Sequence, residues 1–226
     1  MSFFFSKDVV EWWSEQALKL APYWRLLMGW VTETKEEELS FELKEILWDM
    51  IINSRRGCKP TEPPSEIDVA FNCGKYVIGL RGGVINPLAF IDNSSKYVNS
   101  LEELGWFGVG LTSRRSIGVV AIYFKGEIPR VRLPDGRLIG VYSFMLRDIR
   151  EDTIELELFV SGVRYKVRSQ WVIPHKGLDV PTAENAELVN ALATNEETRR
   201  LLEDYINMAI GPLTELAKYQ SIFILY

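Results

Sequence analysis

Histidine is almost missing from this chain of 226 residues: His175 is the only one. That excludes a metal site built on several imidazoles, and a kinase that phosphorylates its own histidine at any other position. Cysteine is nearly as scarce. Cys58 and Cys73 are too few for a disulfide framework or a four-thiolate zinc site. They read as buried thiols of an intracellular protein, with a single bridge between them as the alternative. Long apolar runs are lacking too. Phe3, Phe4 and Phe5 are interrupted at once by Ser6, Lys7 and Asp8, too short for the apolar part of a signal peptide. No stretch approaches the roughly 18 uncharged residues that a membrane span needs. Basic residues are outnumbered: 26 Lys and Arg against 31 Asp and Glu leave a net charge of −5. That is the wrong balance for a protein whose main task is gripping nucleic-acid phosphates. The expectation is a soluble, cytoplasmic protein with no membrane partner, and the acidity argues against nucleic acid as its main ligand.

What is present is a globular composition. Hydrophobic residues make up 47% and charged residues 25%, enough to build a core and too balanced for disorder or fibres. Ser6 can cap a helix running to Trp30, with Val9, Trp12, Trp13, Leu18 and Leu20 on a partly apolar stripe and Pro22 expected to kink or restart it. A second helix follows from Thr34 through Glu36, Glu37 and Glu38 to about Asn53, with Leu39, Phe41, Leu43, Ile46, Leu47, Met50 and Ile51 facing a core. From Ser65 the period becomes two. Ile67, Val69 and Phe71 alternate, Asn72-Cys73-Gly74-Lys75 turns the chain, and Tyr76–Leu80 returns as the second strand of a hairpin. Residues 82–113 read as irregular. Strands are expected again at 117–124, 130–133, 138–146, 153–160 and 163–172, and helices at 183–193 and from the capping signal Thr194-Asn195-Glu196-Glu197 to about 210. Gly211-Pro212 should stop the last helix, leaving a strand-like end at 221–226. Helices first and a long strand run after them predict an α+β sandwich, with helices on one face of a mixed, mostly antiparallel sheet. One domain over 1–226 is expected: a helical N-terminal segment 6–54, a sandwich core 36–173 and a helical tail 182–220.

Three features carry candidate chemistry. Asp49 and Asn53 stand one helical turn apart. A carboxylate there can activate water while the amide oxygen completes a Mg²⁺ shell, although a solvated helix edge uses the same residues. Gly105, Gly108 and Gly110 fall within six residues, with Val109 and Leu111 between and after them. Such spacing lets backbone N–H groups close on a phosphate, and it also suits a turn needing positive φ. Ser94, Ser95 and Lys96 offer two hydroxyls and an ammonium, for phosphate or for solvent. A nuclease built on Asp68 and the strand Val77–Arg81 fails, because Gly79 and Arg81 stand where a second acid and a lysine are needed.

In order along the chain, these pieces resemble the nucleotide-binding domain shared by DNA gyrase, the ninety-kilodalton heat-shock chaperones, histidine kinases and MutL (the GHKL superfamily), with topoisomerase VI close by. The resemblance covers about residues 36–160. Glu45–Ser54 is similar to the first helix motif, acid-x-x-x-Asn and a small residue. Leu80-Arg81-Gly82-Gly83-Val84 is similar to the D-x-G-x-G turn, Ser94-Ser95-Lys96 to the lid, and Gly105–Leu111 to the G-x-F-G-V-G pattern. Asp152-Thr153-Ile154-Glu155-Leu156 is similar to the late strand motif whose threonine faces the nucleotide.

The resemblance implies a two-layer sandwich of the Bergerat type that binds a purine nucleotide, ATP with Mg²⁺, with slow or absent hydrolysis coupled to lid closure or dimerisation. Asp49 would position the attacking water and Asn53 would hold the metal. Gly105, Gly108, Val109, Gly110 and Leu111 would cradle phosphates, Ser95 and Lys96 would sit in the lid, and Gly82 and Thr153 would border the base. Residues 1–30 would cover the sheet of a second copy in a homodimer. Departures weigh on the adenine half: Leu80 replaces the aspartate that accepts from the base, and Val84 replaces the second glycine of the turn. An unpaired polar edge there costs on the order of 1–3 kcal/mol. The alternative is a non-catalytic scaffold or interaction protein, with an unknown protein partner, built on a degenerate copy of that fold.

Overall fold

A computed structural model of the chain describes residues 5–33, 58–65, 67, 69–81, 87–112, 119–150, 153–160, 169–172 and 186–223. The expected helix at 34–53 and His175 lie outside the described residues.

The chain opens on α1, Lys7–Glu33. Ser6 caps it, its carbonyl accepting from the N–H groups of Val9 and Val10, and the buried stripe is Val9, Trp12, Trp13, Gln16, Ala17, Leu20 and Ala21. Pro22 does not break the helix. It lies on the solvent side, one turn beyond the half-exposed Leu18, so the carbonyl deprived of a donor sits where water can reach it.

The next elements are β1 (Lys59–Thr61), β2 (Val69–Asn72) and β3 (Val77–Arg81). The expected hairpin joins β2 to β3, with Gly74 at φ +84° and its N–H donating to Asn72 Oδ1 at 2.9 Å. The stretch expected to be irregular is not. It forms α2, Pro87–Leu104, and β4, Trp106–Thr112. Gly105 links them at φ +66°, donating to the Glu102 carbonyl at 3.2 Å, which is the left-handed residue that ends a helix.

The strand run then follows much as expected: β5 (Val119–Lys125), β6 (Arg130–Arg132), β7 (Leu138–Arg150), β8 (Thr153–Val160) and β9 (Ser169–Val172). Two helices complete the described chain, α3 (Ala186–Thr194) and α4 (Glu196–Phe223). The cap of α4 is Asn195, whose Oδ1 accepts from the Thr198 N–H at 2.9 Å. Gly211 and Pro212 do not stop this helix, and Ser221 to Phe223 are helical rather than strand-like. The carbonyl that Pro212 leaves unpaired belongs to the turn of Met208, which is half-exposed.

The sheet order is β1-β2-β3-β5-β4-β7-β8-β9, with β6 paired to β7 off that path. All pairs are antiparallel except β4 with β7, so the sheet is mixed and mostly antiparallel, as expected. The expectation of helices on one face is corrected: they pack on both. Phe107, Val109, Leu111, Val120, Ile122, Phe124, Phe144 and Leu146 share a core with α1, α3 and α4. The alternate residues Trp106, Val119, Ala121, Tyr123 and Met145 share another with Tyr97, Val98 and Leu101 of α2. A strand covered on both sides has no polar face to show, which is why β4 is buried at every position and β5 at all but its last. Trp13 stacks on Phe144 with ring centroids 6.2 Å apart and donates to the Val189 carbonyl, fastening α1 to sheet and α3 together. Trp12 donates to the Glu203 carboxylate and lies under the Arg199 guanidinium, fastening α1 to α4.

Candidate functional site

The glycine-rich segment is a central strand. Gly108 pairs with Tyr123 of β5 and Ser143 of β7, and Gly110 with Ala121 and Met145. Gly108, Val109, Gly110 and Leu111, expected to cradle phosphate, thus stand in a central strand whose backbone N–H and C=O groups are turned to β5 and β7. Val109 and Leu111 are fully buried in the core under α1 and α4. Gly105 is spent on ending α2.

The glycines serve packing instead. An added Cβ at Gly79 would lie 2.4 Å from Tyr123 Cε2, and one at Gly108 3.0 Å from Tyr123 Cε1. The Tyr123 ring thus lies flat on the sheet between two positions that only hydrogen can fill. Its hydroxyl accepts from Tyr97 at 3.4 Å, and the buried Ser143 hydroxyl lies beside the pair. Burial pushes the Tyr97 phenol up to about 12, against the pull of the Tyr123 hydroxyl, and pushes Tyr123 well above its ordinary range. These are neutral core hydroxyls at any physiological pH.

The remaining site residues do not converge either. Ser95 and Lys96 stand inside α2 rather than in a lid loop, and Lys96 is exposed. Thr153 begins β8, paired with Arg150 and Val172, while Gly108 and Gly110 align through β7 with the other half of that strand. Leu80, standing for the base-binding aspartate, is 3% exposed in the core. Asp49, Asn53 and Gly82 lie outside the described residues. Among the described residues no cluster of His, Cys, Asp or Glu is placed to hold a metal ion, and no helix is long and apolar enough to cross a membrane.

Two features depart from the sequence reading or go beyond it. One is the bridge: Cys58 and Cys73 are a disulfide, the alternative to the free buried thiols that were the first expectation. The other is a cleft of about 720 Å³ beside the start of α4, between its first turns and the β5–β6 connection. Asn195 and Thr198 lie in it with their key groups already committed, Asn195 capping the helix and the Thr198 hydroxyl donating to the Arg130 carbonyl at 2.9 Å. What stays open to solvent is charge of both signs, Arg130 and Arg200 against Glu127, Glu197 and Asp204. Three carboxylates stand there with two guanidiniums, a lining of nearly balanced charge. The capping signal at 194–197 pointed to the helix start. Nothing local pointed to residues 126–130 opposite it. Comparison of the chain with protein-family models, with curated proteins and with solved structures returns no match.

Proposed function

We propose that this chain is a non-catalytic interaction module, a degenerate GHKL-like sandwich that meets a protein partner through the mixed-charge cleft at the start of α4. One observation carries the reading: the segment most similar to the superfamily's phosphate-binding pattern is the buried strand β4, hydrogen-bonded on both sides. The mixed charge of the cleft adds to it, since a protein surface offers both signs to pair with Arg130, Arg200, Glu127, Glu197 and Asp204.

Titration calorimetry with a non-hydrolysable ATP analogue and Mg²⁺ tests the proposal. The expected result is no binding heat at millimolar analogue. Saturable binding that weakens on Asn53→Ala, and only when Mg²⁺ is present, overturns it and restores the ATP/Mg²⁺ reading.

A further inference from the structure

The disulfide sits at the margin of the sheet, and the register shows how. Lys59 pairs with Asn72, Pro60 with Phe71 and Thr61 with Ala70, so the next position along the ladder sets Cys58 against Cys73, with Cα atoms 4.2 Å apart. The Cys73 N–H donates to the Tyr76 carbonyl across the hairpin. Backbone groups alternate sides along a strand, so Cys73, Phe71 and Val69 turn their N–H groups to β3, and Asn72 and Ala70 turn theirs to β1. Pro60 fits this assignment, because opposite Phe71 no N–H is required of it. The cysteines therefore occupy a non-hydrogen-bonded pair, the site of closest side-chain approach between antiparallel strands.

Among the described residues, β2 is the one strand that pairs with β1. β1 is the outermost strand, three residues long, with Lys59 and Pro60 exposed and Thr61 half-buried. The chain beyond it is tied down independently: Ile67 is buried in the core under α2, and the Ser65 N–H donates to Ser100 Oγ of α2 at 3.2 Å. Both cysteines are only partly buried, within reach of a thiol reagent.

We propose that the Cys58–Cys73 disulfide is a redox clasp on the sheet edge. Oxidised, it keeps β1 laid along β2; reduced, it lets β1 leave while β2 and the rest of the sheet stay folded, baring a strand edge. The reductant is a dithiol. One of its thiolates attacks a cysteine sulfur, forms a mixed disulfide and expels the other cysteine as thiolate. Its second thiol then resolves the mixed disulfide, so the reductant loses two electrons and two protons and both cysteines end as thiols.

Amide hydrogen exchange read residue by residue on the full chain, before and after dithiothreitol, tests this. The Ala70 and Asn72 amides, which face β1, lose protection in the reduced chain by about tenfold or more beyond any loss shared by Phe71 and Val69, bonded to β3, and by Val109 and Ile122 in the centre. The Cys58→Ser/Cys73→Ser variant shows the same alternation without reductant. Unchanged protection at Ala70 and Asn72 after reduction overturns the proposal, and so does equal acceleration at Phe71 and Val109. A bridge that dithiothreitol leaves intact in the folded chain overturns it as well.

Discussion

Gly110→Ala adds one methyl group to the middle of β4. There it meets the Val120 carbonyl oxygen at 2.6 Å, Met145 Sδ at 2.7 Å and the Ala121 methyl at 2.9 Å. The sulfur can swing aside. The carbonyl cannot, because it belongs to the neighbouring central strand. Overpacking of this kind costs about 1–3 kcal/mol, and a backbone obstacle puts it at the upper end. Alanine in a strand otherwise gains about 0.5–1 kcal/mol over glycine, so the net loss is about 2 kcal/mol. For a chain of this size that lowers the melting temperature by about 4–8 °C. Urea unfolding followed by fluorescence of the seven tryptophans reads it as a lower midpoint at unchanged slope. A phosphate-cradling loop behaves in the opposite way, since alanine there leaves stability nearly untouched and lowers nucleotide affinity. A Gly110→Ala chain as stable as the parent, or more so, refutes the placement of this segment in the sheet.

Removing the bridge by Cys58→Ser/Cys73→Ser, which opens a loop with sequence separation 15, lowers reversible unfolding stability by about 3 kcal/mol on the chain-entropy account; a loss below about 1 kcal/mol contradicts that account. Tyr97 has a folded pKa of about 12 against an ordinary value of 10.0. The folded chain therefore holds its proton longer, and the stability from this group, complete below about pH 10, is lost as pH rises towards 12. Phenolate absorbance should place Tyr97 and Tyr123 among the late-titrating tyrosines of the folded chain, and Tyr97→Phe should flatten the fall in stability over that window; normal titration of both removes the buried pair. Asn195→Ala leaves the Thr198 N–H without its side-chain acceptor and costs about 1 kcal/mol, while Asn195→Asp costs little. Equal losses in the two variants argue against capping.

Much of the secondary structure was legible because it is local. Ser6 and Asn195 announce helix starts through the acceptor they offer to a nearby N–H, and the alternation of Val69 and Phe71 around Asn72-Cys73-Gly74-Lys75 announces the β2–β3 hairpin. The strands from 119 onward show through their apolar runs. Where local reading failed, the missing information was distant. Pro22 and Pro212 end helices only if the freed carbonyl is buried, and exposure at Leu18 and Met208 is set by the packing of whole helices.

The place of the glycine-rich segment was hidden for a related reason. In sequence, a glycine that frees the backbone to meet a phosphate and a glycine that clears room for a ring are the same letter. Only the placement of Tyr123 across Gly79 and Gly108, and of Val120 against Gly110, shows that the second role holds here. The unbroken hydrophobicity of β4 and β5 did carry a signal, since a strand with one wet face alternates and these do not, but it names no partner for the second face. That partner is α2, whose Tyr97, Val98 and Leu101 close over it. The pairing of Cys58 with Cys73 likewise depends on the register of β1 against β2. By itself the sequence determined which side chains must leave water and with what period, because that follows from neighbours a few residues away. Tertiary structure alone decided what they leave it against, because contacts between distant strands and helices are set by the packing of the whole chain.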